Sequence, residues 1–220
     1  ATLGALTRVT VDIVGVPDVG ADAELLAVAL EIMRSCGLSE EDVVARVSDR
    51  QLLSALLGAW GVPDEAVPAA YAAIDKVERE PRERLVERLV AAGVDAGVAA
   101  RVLAAVAASD LAALRQAHGA DPAVAVALDR MDRYLDLVEA HGLRAWVRVD
   151  LTIVRGLAYY TGLVFELFDR KGEFRAICGG GRYDHLLRDL GGVDLPALGF
   201  GMGDVVLGEL LRSRGRMPDT

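Results

Sequence analysis

Two blocks of period-two hydrophobicity bracket a long stretch of helical periodicity, and this arrangement limits the fold more than any other feature. From Arg8 to Val14, Val9, Val11 and Ile13 alternate with Arg8, Thr10 and Asp12, the pattern of a strand with one face toward a core. A helix is expected over residues 21–36, with Leu25, Ala29, Ile32 and Met33 on one side and Gly37 as its stop. A short strand over 43–47 leads to a helix carrying Leu52, Leu53, Leu56 and Leu57, capped by Ser48 or Asp49. Gly61 and Pro63 close it. Over residues 63–142 the period changes to that of amphipathic helices, separated by Pro81, Gly93, Ser109 and Asp121-Pro122. Their apolar positions include Ile74, Leu85, Leu89, Val102, Val106, Leu128 and Met131.

After Gly142 alternation returns. Strands are expected over 145–151, 163–168, 174–178 and 196–202, and a last helix over 204–214. The second and third of these strands should form a hairpin through Arg170-Lys171-Gly172. Hairpin-joined strands interrupted by helices indicate an α+β fold, an antiparallel sheet flanked by helices with an all-helical insertion. The expected division is residues 1–62 as the first part of the core, 63–142 as the insertion and 143–220 as the second part.

The chain has 220 residues, enough for one large domain or two small ones. Its net charge of −9 argues against a basic nucleic-acid-binding module. No apolar run is long enough to span a bilayer, and no charged-then-apolar leader begins the chain, so a cytoplasmic protein is expected. Cys36 and Cys178 are expected as separate thiols. His118, His141 and His185 show no metal-ligand spacing with them, so no metal site is expected.

Chemistry is concentrated late in the chain. Val154-Arg155-Gly156-Leu157-Ala158-Tyr159-Tyr160 is followed by Gly179-Gly180-Gly181-Arg182-Tyr183-Asp184. Arginine offers forked donors to anionic oxygens, and glycine permits close backbone approach to a ligand. Adjacent tyrosines point in different directions; one alternative packs Tyr159 in the core while Tyr160 lines a cavity. Glu166, mid-strand among apolar residues, must be solvated, paired or functional, and Asp12 sits similarly on its own strand. The triple glycine is neither a Walker loop nor a Rossmann fingerprint, and alone would suit a flexible turn.

In combination, the segments from Arg155 to Glu166 and from Gly179 to Asp184 resemble the two signature motifs of the histidyl-tRNA synthetase family. Gly199-Phe200-Gly201-Met202-Gly203 is similar to the glycine-rich part of motif 3 of class II synthetases, and residues 11–25 resemble the strand and helix after motif 2. The resemblance implies a class II catalytic core that activates histidine with ATP and Mg2+ and transfers it to tRNA(His), in a protein acting as a homodimer and away from membranes. By resemblance, Arg155 would stabilise charge on the α-phosphate. Asp12, Tyr159, Tyr160 and Tyr183 would bind histidine, and Gly179, Gly180, Gly181, Gly201 and Gly203 would approach the adenylate.

The pattern has departures. Where the family has a substrate-binding glutamine, four positions before Asp12, stands Arg8. Asp204-Val205-Val206 follows Gly203 without the usual motif 3 arginine, and Ala158 replaces a common aspartate. Motif 1 and the motif 2 arginine are not found, so the isolated chain is expected to be inactive alone. The competing expectation is a non-catalytic histidine-binding paralogue, such as the regulatory subunit of ATP phosphoribosyltransferase.

Overall fold

The computed structural model describes residues 7–154 and 159–217. In chain order the elements are β1 (Arg8–Val14), α1 (Val19–Ser35), β2 (Val43–Asp49), α2 (Arg50–Ala59), α3 (Val67–Ile74), α4 (Arg82–Ala91), α5 (Ala96–Ala108), α6 (Leu111–His118) and α7 (Pro122–Ala140). There follow β3 (Val147–Val149), β4 (Leu163–Asp169), β5 (Cys178–Arg182), α8 (Leu186–Asp189), β6 (Ala197–Gly203) and α9 (Asp204–Ser213). The six strands form one sheet in the order β1-β6-β5-β4-β2-β3. It is the α+β core expected, flanked by helices.

Two compact units divide the chain. The first comprises Ala1–Arg46, Tyr134–Arg148 and Phe165–Thr220; the second comprises Val47–Arg133 and Val149–Val164.

In the first unit, α1 begins at Asp18, whose side chain accepts from the backbone of Gly20, and ends before Gly37, at φ +77°. Its buried face carries Leu25, Leu26, Ala29, Leu30 and Met33. It lies against β1, β5 and β6. Both pairings of β6, with β1 and with β5, are antiparallel. Antiparallel residues directly opposite one another share a sheet face, so the register sorts the side chains. Leu198, Phe200, Met202 and Cys178 are buried together on one face.

The second unit has its own apolar core. Leu52, Leu53, Leu56 and Leu57 of α2 join Ile74, Leu85, Leu89, Val102, Val106 and Leu128, nearly all the positions marked by helical spacing. Asp49, fully buried, caps α2 by accepting from Gln51 and Leu52 and binds Arg130 of α7. Ser109 ends α5 in the left-handed conformation (φ 49°). The unit takes in α2, the helices from α3 through Arg133 of α7, and residues 149–164, while α7 from Tyr134 onward belongs to the first unit.

Three expectations change. β1 is the outermost strand, so its apolar face is poorly covered: Val9 is 45% exposed and Val14 50%, while Val11 and Ile13 are half-buried. The hairpin's return strand starts at Cys178 instead of ending there. Buried Asp169 accepts from the backbone of Glu173 and of Phe174 (both 2.9 Å), which takes those amides out of the ladder. The stretch read as residues 145–151 is a 3-10 turn over Arg144–Trp146 and a three-residue strand.

The triple glycine is therefore strand, not turn. Gly180 packs so closely on β6 that a Cβ there would stand 2.5 Å from the Phe200 Cβ and 2.8 Å from its Cα, and closer still to the Gly199 carbonyl oxygen. Backbone atoms cannot yield to it. Gly180→Ala is expected to destabilise the fold by about 1–3 kcal/mol as an overpacked site, read as a lower urea midpoint. An unchanged midpoint would remove the steric account of this glycine.

Candidate functional site

The register of β5, β6 and β1 builds a face almost without side chains. Arg8 stands opposite Gly203, Thr10 opposite Gly201, and Asp12 opposite Gly199. Across the other edge of β6, Gly179 pairs with Gly201 and Gly181 with Gly199. Five glycines thus share a face with Arg8, Thr10 and Asp12. A sheet face usually carries side chains that pack a second layer. This one presents bare backbone edged by a guanidinium, a hydroxyl and a carboxylate, suited to a flat polar ligand.

Tyr183 reaches the same face. Its backbone N–H donates to Ala197 (2.7 Å), continuing the ladder one residue past β5, and its hydroxyl donates to Asp12 Oδ1 in a short contact. A Cβ on Gly199 would collide with both Asp12 Oδ1 and the Tyr183 hydroxyl (2.5 Å for the latter). Gly199 is thus required for the carboxylate and phenol to meet over β6. Together they offer oxygens able to accept from a ligand N–H or to carry a cation.

Beneath this face lies a buried charged clamp. Arg182 and Asp22 are 5% exposed each, and Arg182 donates to both Asp22 oxygens, from Nη2 at 2.6 Å and from Nε at 3.1 Å. Nη1 also donates to the Val16 carbonyl and to Asp184, and Nη2 to the Asp18 carbonyl. Burial pulls the guanidinium's pKa down, but hydrogen bonds and charge from Asp22, then Asp184, outweigh it and hold it above the usual value. One side chain therefore fastens the end of β5 to α1 and to the turn between β1 and α1. Asp22 also raises the Tyr134 phenol, secondary to the full burial that mainly drives it up.

The tyrosine pair belongs to the second unit. Tyr159 and Tyr160 have ring centroids 4.6 Å apart. Tyr160 is the buried one, whereas Tyr159 is 37% exposed, so the alternative that packs Tyr159 in the core is not what forms. Tyr160 and Thr161 line an open cavity of about 880 Å³ within that unit, together with Arg50, Ser54, Tyr71 and Arg130. Arg50 lies over the Tyr71 ring (4.5 Å) and donates to the Val154 carbonyl, and Gln51 donates to the Thr161 carbonyl. Arg155, with Gly156 to Ala158, lies outside the described residues. Among the described residues no cluster of His, Cys, Asp and Glu could hold a metal ion, and no helix is long and apolar enough to cross a membrane. Cys36 and Cys178 are not joined in a disulfide.

Of the expected residues, the fold brings Asp12, Tyr183, Gly179, Gly181, Gly201 and Gly203 onto one face, and Gly180 onto the opposite, α1-facing side. Sequence reasoning missed Arg182 and Asp22 as a pair. It also gave Arg8 no site role of its own.

Residues 4–203 match the family model described as Histidyl-tRNA synthetase. The chain belongs to the histidyl-tRNA synthetase family. A histidine–tRNA ligase of Opitutus terrae is 42% identical over 217 residues, covering 97% of this chain and 50% of the relative. The chloroplastic/mitochondrial histidine–tRNA ligase of Arabidopsis thaliana is 40% identical over 208 residues, 94% of this chain and 42% of the relative. The chain thus spans about half the length of the curated relatives it matches. Among solved structures, histidyl-tRNA synthetase from Nostoc sp. PCC 7120 superposes with a TM-score of 0.82 at 22% identity, over 97% of this chain and 52% of that one. An ATP phosphoribosyltransferase regulatory subunit/histidyl-tRNA synthetase from Bacillus halodurans gives 0.78 at 24%, over 93% and 53%. At such identities both likenesses speak for the fold alone.

The clamp generates a prediction. Asp22→Ala leaves a buried guanidinium short of its main partner and is expected to cost about 3–5 kcal/mol, measured by chemical denaturation. Asp184, one quarter exposed, should matter less when replaced by Ala. Equal losses from the two variants would refute the assignment of Asp22 as principal partner.

Proposed function

We propose that this chain carries the histidine-binding centre and part of the adenylate-forming centre of a histidine–tRNA ligase, whose substrates are histidine, ATP with Mg2+, and tRNA(His). The observation that carries the reading is the glycine-floored face with Asp12 and Tyr183 meeting over Gly199. Relatives named histidine–tRNA ligase at 36–42% identity support it.

The residues divide the work by chemistry. Asp12 would accept from the imidazole N–H, and the Tyr183 hydroxyl, by turning its proton from Asp12 to the ligand, would donate to the imidazole lone pair. The glycines leave room for the adenylate to lie against backbone. Arg155 would meet the anionic oxygens of the phosphate as charge builds there during attack by the histidine carboxylate, an electrostatic contribution that needs no covalent enzyme intermediate. By the same reading the helices of residues 63–142 form an insertion domain and the complete protein is a homodimer.

A ligase and a histidine-binding regulator differ in one measurable property. Histidine-dependent ATP–pyrophosphate exchange is expected from the full-length protein that carries this chain, and Arg155→Ala should lower its rate about 10²–10³-fold, as for other residues that stabilise transition-state charge. Histidine binding with no exchange would overturn the ligase reading in favour of the regulator. Asp12→Ala should mainly raise the KM for histidine, leaving the KM for ATP unchanged.

A further inference from the structure

Both ends of the motif around Arg155 are tied to one place, the first turn of α2. Arg50 Nη1 donates to the Val154 carbonyl at 2.9 Å, and the Arg50 backbone N–H donates to the Gly162 carbonyl at 3.0 Å. Gln51 Nε2 adds a third tie, to the Thr161 carbonyl at 3.1 Å. Val154 directly precedes Arg155 in the sequence, and Thr161 and Gly162 follow the tyrosine pair. The peptide unit between Val154 and Arg155 is planar, so a bond to that carbonyl also orients the link that carries the Arg155 Cα.

The turn that makes these ties is itself firmly held. Fully buried Asp49 caps α2 and accepts from Arg130 Nε of α7 at 3.0 Å, while Arg130 Nη1 donates to Gln51 Oε1. The Arg50 guanidinium is stacked on the Tyr71 ring of α3 (4.5 Å), whose hydroxyl donates back to the Arg50 carbonyl at 3.1 Å. Stacking fixes the plane of a guanidinium and leaves its edge for hydrogen bonds. Here that edge meets Val154. Just upstream, the Leu151 N–H donates to Ser109 Oγ and the Asp150 N–H to the Val47 carbonyl, both at 2.8 Å. The chain thus enters the motif from a fixed origin.

We infer that Arg50 is a positioning residue for adenylate formation, setting the place from which Arg155 reaches the reacting phosphate. It acts through Arg155 and not on the substrate, with Tyr71 supporting its guanidinium from α3. This rests on the ligase reading, in which Arg155 stabilises the charge that builds on that phosphate.

A double-mutant cycle on histidine-dependent ATP–pyrophosphate exchange by the full-length protein tests the link. Arg50→Ala is expected to lower kcat about 10–100-fold, as for misplacing a reacting group by about 1 Å, with the KM for ATP unchanged. In the Arg155→Ala background the same substitution should cost less than about twofold, because the group that Arg50 positions is already gone. Tyr71→Leu keeps apolar bulk and removes the stacking surface. It should give a smaller loss with the same dependence on Arg155, and it carries the test where the Arg50→Ala protein does not fold. Losses that multiply in full across the two backgrounds, or no loss from Arg50→Ala, overturn the role of Arg50 and leave the ligase reading intact. Exchange unaffected by Arg155→Ala overturns it equally. A wild-type protein that binds histidine without exchange overturns the ligase reading, and this role with it.

Discussion

The buried ion pair of Arg182 with Asp22 is the contact on which the site depends. An arginine so little exposed is tolerated only when its donors are matched, since an unpaired buried charge is very costly. Here they are met by a carboxylate on α1, the carbonyls of Val16 and Asp18, and Asp184. These partners come from the end of β5, the turn after β1 and the start of α1. Satisfying one guanidinium therefore sets where β1 and β5 end relative to one another across β6. Tyr183 follows Arg182 directly, so alternation sends its ring to the opposite face, toward Asp12. The clamp below and the polar pair above are consecutive residues of one strand end.

Much of the fold was legible because local chemistry and tertiary outcome agree. The Asp49 cap of α2, the stop at Gly37 and the leucine face of α2 depend on neighbours within a few residues. The failures share a different cause. Exposure of Val9 depends on β1 being an edge strand, which alternation within seven residues does not reveal. The late start of β5 depends on Asp169 capturing two amides, a competition between a side chain and a ladder. Three successive glycines read as a turn because their strand propensity is poor; only the closeness of Phe200 shows why glycine is needed.

The site was legible in composition and illegible in arrangement. Asp12 and Tyr183 were marked by resemblance, but they are 171 positions apart and their hydrogen bond is a consequence of register across β6. Arg182 and Asp22 are 160 apart, and nothing local in either segment announces the other. Arg8 was visible as a departure from the family pattern. What it faces became visible only once Thr10 was set opposite Gly201, because a guanidinium reaching one register position along its strand then lies over that glycine.

Glycines in alternate positions on paired strands are poor material for a sheet, since each lowers strand propensity and packs no side chain. Gly199, Gly201 and Gly203 on β6, facing Gly179 and Gly181, concentrate that weakness on one face. The opposite face offsets it with Leu198, Phe200, Met202 and Cys178, all buried. The two faces of the same strands thus divide two demands: one packs a core against α1, and the other stays clear. Substituting alanine on the clear face at 199 would drive apart Asp12 and Tyr183, and at 201 would lift Arg8. Glycine on this face consequently governs polar groups it never bonds to, by leaving them the space in which to meet a ligand.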